Sequence, residues 1–527
     1  MKKGEVIGLI IVILVVIGAI FGIWYFSRPP TPKPKVEKEL EKFVIGLDKD
    51  IDGFYPVSKA EVVSESVNWE IFSSLTKFTR EGRLVADLAE YWVNPDDLTW
   101  EIYLKKGVKF HNGSEMTAED VKFSLVTVPE EIEKKTGEFY KRESIAAIDK
   151  VEVVDSYRIK IKTKKPYPLL MNDLAAIGIL SKDYIGKEGY DANPVGTGPY
   201  RFISWEKGKE IILERFEDYY REKPIAKKVI YKIIPEEEKR IDAISKGEID
   251  FATQMTLAGI EKIEKTAGIK PAVTPSIGIT FLGIDMREKT PGIKLAKSPL
   301  SDSRVRKAIA YAIDKEKIVE EIFKGRAKVV TQISVSEAFG YNPEVKGFPY
   351  NPEEAKRLLA EAGYPEGFEV ELLSPDDERA KVSETIGNQL SEVGIKADVK
   401  ILPRGEFFDK LFAEEATLFP LTILDTSLDA AGLATGIFHS VTEEYGSLNL
   451  VHYSNPRVDE LIEKAMSTLD QKARKESAQE IMRITAEEDL PYIPLYITEF
   501  LGGVREDLEF SQRPDGSIDL ADLSFAK

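Results

Sequence analysis

The chain contains no cysteine. That absence excludes disulfides, thiolate metal sites and cysteine nucleophiles. Histidine is scarce: His111, His439 and His452 are the only three in 527 residues, and they lie far apart in sequence. There is no HExxH pair, no GxSxG elbow and no GxxxxGK followed by Ser or Thr. Zinc hydrolysis, serine hydrolysis on that template and ATP hydrolysis by this chain therefore find no support. Excess basic charge is missing too. Lys and Arg number 73 against 90 Asp and Glu, a net charge of −17, and no basic run interleaves with aromatics. Nucleic acid is a poor partner for such a surface. No repeat of roughly 20 to 50 residues appears, which excludes a solenoid.

What is present begins with one long apolar run. Val6 to Phe26, VIGLIIVILVVIGAIFGIWYF, holds 21 residues without a charge. At about 1.5 Å per residue a helix of this length crosses a hydrocarbon core of roughly 30 Å. Trp24 and Tyr25 stand where an interfacial belt would be, and no Ala-x-Ala-like cleavage site follows. The expectation is an uncleaved membrane anchor over residues 1–26, with the rest of the chain exported. Lys2-Lys3-Gly4-Glu5 also resembles the processing site of pilin-type class III signal peptides. Residues 27–42 carry Pro29, Pro30, Pro32 and Pro34 and then a Lys/Glu run, an extended and solvated tether. The body starts near Phe43, and 485 residues to Lys527 exceed what one core comfortably holds.

Periodicity divides the body into strands and helices. Residues 42–47, 98–104, 151–163 and 209–216 alternate as strands. Residues 64–78 place Val67, Ile71, Leu75 and Phe78 at helical spacing. A strong amphipathic helix covers 302–323, capped by Asp302 or Ser303. Another covers 351–363, with Pro352 in its first turn and Gly363 beyond its end. Residues 368–374, 377–392 and 395–402 read as β-α-β. The class is mixed α/β.

His111 stands among Asn112, Ser114, Glu115, Thr117, Glu119 and Asp120, a polar cluster that invites a catalytic reading. Each member has a structural duty instead. Val108 and Phe110 end a strand, and Asn112-Gly113 is a turn pair. Thr117 caps a helix whose first turn carries Glu119 and Asp120. Asn112-Gly113-Ser114 is also a glycosylation sequon, although the turn accounts for it without that.

The same stretch carries a resemblance. LVADLAEYWVNPDDLTWEIYLKKGVKFHNGSEMTAEDVKFSL is similar to the signature of the extracytoplasmic solute-binding proteins of peptide, nickel and oligosaccharide ABC importers, family 5. NPVGTGPYRFISWEKGKEIILERFEDYY (193–220) resembles the family's central motif. DSRVRKAIAYAIDKEKIV, YNPEEAKRLLAEAGYPEGFEVEL, YSNPRVDELIEKA and EDLPYIPLYI resemble the rest, in the family's order. The resemblance implies a two-lobed periplasmic-binding-protein fold with a hinge and an extra subdomain in lobe one. Lobe one would be about 43–75, 195–285 and 495–527, the inserted subdomain about 76–194, and lobe two about 286–494. The permease and its cytoplasmic ATPase would be the partners, no cofactor is expected, and the chain would not be an enzyme. Gly196-Thr197-Gly198 reads as a tight turn at a lobe boundary.

In the family's peptide binders the ligand lies as an added strand, and an Asp after the edge strand pairs with its α-ammonium. Here FPLTILDTSLDAAG (419–432) occupies that place and Asp425 matches that Asp. The backbone of Leu421–Leu424, including Ile423, would receive the ligand. Thr426, Asp429 and the Tyr55 loop would flank it. Asp425 could instead cap a turn with Thr426 and Ser427. Arg379 and Arg404 are the candidate clamps for a ligand carboxylate. The loop Ser374-Pro375-Asp376-Asp377 lacks the Arg that dipeptide binders carry there, so fixed-length dipeptide recognition is not implied. An oligosaccharide ligand, a nickel chelate and a signalling receptor that kept the fold are the alternatives. Trp69, Trp92, Trp100 and Trp205 all fall in or near family-wide motifs, which leans against a sugar platform.

Overall fold

The computed structural model describes residues 38–54, 62–130, 143–183 and 193–527. The anchor and most of the tether expected from the sequence lie outside the described residues. Among the described residues no helix is long and apolar enough to cross a membrane. The chain falls into two units, Met1–Glu39 and Leu40–Lys527, and the second carries the fold below.

Eleven strands build one sheet. They are β1 (Phe43–Leu47), β2 (Tyr200–Glu206), β3 (Glu210–Arg215), β4 (Lys228–Ile233), β5 (Phe251–Ala252), β6 (Ile269–Ile284), β7 (Ala327–Val329), β8 (Phe368–Pro375), β9 (Ile395–Leu402), β10 (Leu418–Leu424) and β11 (Tyr492–Arg505). Their order is β9-β8-β10-β6-β11-β5-β1-β4-β3-β2, with β7 pairing β11 off that path. β1 is buried along its whole length and pairs in parallel with β4 and β5, as its unbroken FVIGL run requires. Helices at Glu237–Ser245 and Leu257–Ile263 cover this side with Ile241, Ile244, Ile260 and Ile263. Beyond β6, helices Ser303–Ala312, Lys315–Phe323, Pro352–Glu361 and α2 (Glu378–Glu392) share a separate core with β6, β8, β10 and β11. A four-stranded antiparallel sheet, Ala89–Asp96, Thr99–Leu104, Arg158–Thr163 and Ile148–Asp155, stands apart from the large one.

β6 and β11 tie the two sides together. Ile269–Pro275 pair with Glu499–Arg505 beside β5, and Gly278–Ile284 pair with β10. Between them the register slips: Pro275 faces Glu499, yet Ile279 faces Ile497. The extra residues leave the ladder with their polar groups satisfied. Ile277 N–H donates to Pro514 O at 2.8 Å, and Gly278 N–H to Ser276 Oγ at 2.8 Å. A bulge bends a strand without orphaning its amides.

The structure corrects three sequence expectations. The helix expected over 64–78 is α1 (Val62–Ile71), and Thr76–Phe78 is a strand. The Gly196–Gly198 turn ends α1 by packing across its last carbonyls. A Cβ on Gly196 would sit 2.0 Å from Ile71 O, and Gly198 N–H donates to Ile71 O at 2.9 Å. The strand expected over 151–163 is a hairpin, because Asp155 Oδ1 accepts from Tyr157 N–H and turns the chain. The helix expected over 302–323 is two. Asp302 caps the first as expected, and Asp314 caps the second by accepting from Lys317 N–H at 2.9 Å.

His111 takes part in the same junction as the glycines. Its Nδ1 accepts from Gly196 N–H at 3.3 Å and its Nε2 faces Gly198 O at 3.0 Å, which fixes a neutral tautomer. The ring also meets Phe216 edge-on at 5.0 Å. Burial holds its pKa down at about 4. Thr117 begins the Ala118–Lys122 helix with Asp120 accepting from its N–H and Oγ–H at 2.8 and 2.9 Å. Unfolded histidine titrates near 6.5, so this site contributes its full stability above that pH and loses it as pH falls toward 4. The loss should be on the order of 2–3 kcal/mol. In urea titrations the stability gap between wild type and His111→Gln should narrow from pH 7 to pH 4. A gap independent of pH would contradict the neutral anchor.

Candidate ligand-binding site

Three parallel strands end on one edge of the sheet, and each delivers candidate residues there. β8 and β9 pair through Pro375 and Leu402, so Asp377 after β8 and Arg404 after β9 emerge at one level. β8 also pairs with β10 in parallel, through Leu372 and Leu418. Beyond that point, among the described residues, β10 has ladder partners only on its β6 side. Phe419–Leu424 thus presents a free edge to the gap between the ends of β8 and β10. Crevices outside the carboxyl ends of parallel strands are where open α/β sheets take ligands.

Asp425 follows this edge directly. It is 1% exposed. Its Oδ1 accepts from Ser427 Oγ–H at 2.9 Å, and its Oδ2 is buried without a partner. Burial, with the Asp429 charge adding to it, outweighs the Ser427 bond and the Asp429 and Leu428 amides and pushes its pKa up to about 6. Ser427 O accepts from Asn172 Nδ2 at 3.0 Å, so the helix Leu170–Asp173 abuts the segment that carries the carboxylate. Lys165 reaches across nearby, pairing with Glu444 and lying 5.4 Å over the Tyr445 ring.

The other predicted residues fall into separate roles. Ile423 is half-buried opposite Ile279 in the ladder, and Thr426 is exposed. Asp429 has both oxygens engaged: Oδ1 caps α4 (Ala430–Ile437) through Gly432 N–H at 2.9 Å, and Oδ2 pairs with buried Arg474 at 2.7 Å. That engagement leaves it supporting the turn that positions Asp425. Arg379 is likewise held locally, with Nε 2.9 Å from Asp377 Oδ1 and Nη2 bonded to Oδ2. Arg404 opens α3 (Arg404–Phe412) and is mostly exposed. Its Nη1 stands 3.9 Å from Asp377 Oδ2 and its guanidinium lies 5.5 Å over the Phe408 ring. Arg379 and Arg404 thus come together around Asp377. Asp377 is raised by burial but lowered overall by the Arg379 bonds and charge. Tyr55 lies outside the described residues.

Sequence reasoning missed Asn172 and Thr280; it named Ser427 as a turn partner of Asp425, and Asp377 only as a member of the loop after β8. Thr280 Oγ1 lies 2.8 Å from Thr422 Oγ1 across the β6–β10 pair. The three histidines do not converge. His439 packs on Tyr445 at 4.4 Å, and His452 lies between Asp285 and Glu414 at 3.2 and 2.9 Å. Among the described residues no group of three or more His, Cys, Asp or Glu is placed to hold a metal ion.

A sheet divided by a two-strand ribbon, with parallel strand ends gathered on one edge, is the arrangement of the two-lobed periplasmic-binding-protein fold. The profile described as bacterial extracellular solute-binding proteins, family 5 middle, matches residues 83–442. The chain belongs to this family, the substrate-binding components of ABC importers, which are transport proteins and not enzymes. It is 28% identical over 465 residues to the glutathione-binding protein GsiB of Pectobacterium atrosepticum, covering 85% of this chain and 87% of that one. Its fold matches HbpA2 from Haemophilus parasuis with a TM-score of 0.82 at 22% identity, covering 92% of this chain and all of that one. It also matches the oligopeptide-binding protein AppA from Bacillus subtilis in complex with a nonapeptide. There the TM-score is 0.71 at 23% identity, covering 93% of this chain and all of that one.

Breaking a buried pair by removing one partner costs about 3–5 kcal/mol. Asp429→Ala should therefore lower unfolding stability by about that amount, and Asp429→Ala with Arg474→Met by less than the sum of the single losses. Additive losses in urea titrations would show that the two residues do not act as a pair.

Proposed function

We propose that the protein captures peptides by their α-ammonium at Asp425 and hands them to the permease of an ABC importer driven by a cytoplasmic ATPase. The observation that carries this reading is the buried carboxylate with one oxygen unpartnered beside a free strand edge. A carboxylate removed from water is costly until a cation and its donors arrive. An α-ammonium supplies both, and the peptide backbone behind it can bond along Leu421–Leu424 as an added strand. Arg404, with its exposed guanidinium, is the better clamp for a ligand carboxylate, since Arg379 is committed to Asp377. Relatives named for glutathione binding and a fold neighbour holding a nonapeptide agree with a ligand that pairs an α-ammonium with amide groups.

Lobe one would comprise about 43–75, 195–285 and 495–527 with the subdomain 76–194, and lobe two about 286–494. The register slip at Ser276–Gly278 supports a bend between them, and the Asn172–Ser427 bond supports contact of the subdomain with lobe two on closure. The apolar run Val6–Phe26 supports a single-pass anchor that keeps the receptor near its permease.

Peptides with a free amino terminus should bind in calorimetry, and their N-acetyl forms should bind poorly. Asp425→Asn should weaken the free peptides by about 2–5 kcal/mol. Undiminished binding by that variant would remove Asp425 from the site. Hits confined to neutral oligosaccharides would overturn the peptide reading.

The titration of Asp425 adds a second test. Its folded pKa near 6 exceeds the unfolded value of 3.8, so the ligand-free protein is favoured by this group below pH 3.8. That contribution is lost as pH rises through 6. Asp425→Asn should then stabilise the ligand-free protein at pH 7.5 by on the order of 2–3 kcal/mol. Peptide affinity of the wild type should fall as pH drops below 6, because binding must expel the proton. A flat affinity profile from pH 7 to pH 5 would contradict an ionised Asp425 in the complex.

A further inference from the structure

Asn112-Gly113-Ser114 is the only Asn-x-Ser or Asn-x-Thr triplet in the chain whose middle residue is not proline. It forms the apex of a tight hairpin. Phe110 N–H donates to Ser114 O and Gly113 N–H to Phe110 O, both at 2.8 Å, while Lys109 and Glu115 form an antiparallel bridge. Gly113 sits at φ +87°, the glycine position of a three-residue hairpin loop. Residues Asn112 to Glu115 are all exposed, and a Cβ built on Gly113 would meet nothing within 4 Å. From beneath, the His111 ring bonds to Gly196 and Gly198 and holds the loop facing outward.

The side chains of the triplet are ordered in a particular way. Asn112 Oδ1 accepts from Ser114 N–H at 3.0 Å and from Ser114 Oγ–H at 2.7 Å. Two donors on one oxygen fix the carboxamide and turn its Nδ2 away from the loop. An Asn-Gly turn needs the first two residues only. The Ser114 hydroxyl adds nothing to the backbone turn, and its bond goes to the amide whose nitrogen would be the acceptor. The competing fate of an exposed Asn-Gly pair is cyclisation, in which the glycine amide attacks the side-chain carbonyl. Here the Gly113 amide is committed to Phe110 O, so that nucleophile is withheld.

We propose that Asn112 is an N-glycosylation site, with Nδ2 accepting an oligosaccharide from a polyprenyl-phosphate-linked donor on the extracytoplasmic face of the membrane. The bond from the sugar's anomeric carbon to the phosphate oxygen breaks, and the lipid phosphate leaves with the electron pair. The new bond joins that carbon to Nδ2, which gives up one proton. Nothing is oxidised or reduced. Because the apex stays exposed in the folded protein, the glycan would project into solvent, and attachment needs no unfolding of the loop.

The test is peptide mass spectrometry of the full chain isolated from the membranes of its own organism. Trypsin releases Phe110–Lys122, which contains Asn112. The expected result is that peptide displaced in mass by whole monosaccharide residues, with fragmentation assigning them to Asn112. The displacement should vanish in Asn112→Gln and Ser114→Ala and persist in Ser114→Thr, which keeps the hydroxyl. Recovery of the peptide only at its bare mass from the wild type would overturn the proposal without any variant. A displacement that survives Ser114→Ala would overturn it as well, since the hydroxyl would then play no part.

Discussion

The antiparallel pairing of β6 with β11 is the constraint on which the rest depends. Both strands are long enough to serve two sheet halves, and every polar group along them must be satisfied through any bend. The slip at Ser276–Gly278 meets that condition by lending amides to a neighbouring side chain and to Pro514. Helices on either side pack a smaller core of their own against the ribbon, and a third, larger core runs across it from β1 and α1 through β6, β10 and β11 to the helices of 430–482. The parallel strands β8, β9 and β10 gain a fixed frame from this, and their carboxyl ends fall on one edge.

Two aspartates four residues apart show how that frame gives two buried carboxylates different surroundings. Asp429 and Asp425 are equally buried. Asp429 is matched by a helix amide and a guanidinium, so its charge is settled by the fold. Asp425 has the Ser427 hydroxyl on one oxygen, only the outlying influence of the Leu428 and Asp429 amides besides, and no hydrogen-bond partner on its Oδ2. The difference follows from position: Asp429 faces the helix Gln471–Arg483, which carries Arg474, whereas Asp425 lies at the end of a strand with a free edge. A carboxylate left short of partners inside a folded protein keeps its proton to a higher pH than a free one.

Much of this was legible in the residues. The β-α-β unit at 368–402, the Asn112-Gly113 turn and the caps at Asp302 and Thr117 follow from local chemistry, and local chemistry is what a sequence displays; the partners of His111, 85 and 87 residues on, do not follow from it. What could not be read depends on distant partners. Ile71 ends α1 because a turn some 125 residues later crosses it, and nothing near Ile71 announces that turn. The pairing of Arg379 with Asp377 went unread for a different reason. Asp-x-Arg occurs at 285–287, 302–304 and 377–379, and in each the carboxylate accepts both the Arg amide and the Arg side chain. That pattern is visible in the sequence and marks an arginine already spoken for. The edge of β10 and the level of Asp377, by contrast, are properties of register across strands and have no local signature.

The sheet half around β1 closes on residues from opposite ends of the chain. Glu70 in α1 accepts from Leu520 N–H at 2.7 Å, a bond spanning 450 positions, and Ser66 accepts from Ile518 N–H over 452. Val44 N–H is taken by Asp250, whose other oxygen holds Arg505 in β11. β1 finds its ladder partners in mid-chain, at 229–233 and 251–252, but α1 gains these bonds only from residues near 520. Contacts of such sequence separation are costly in loop-closure entropy, so this half is expected to complete its core late in folding.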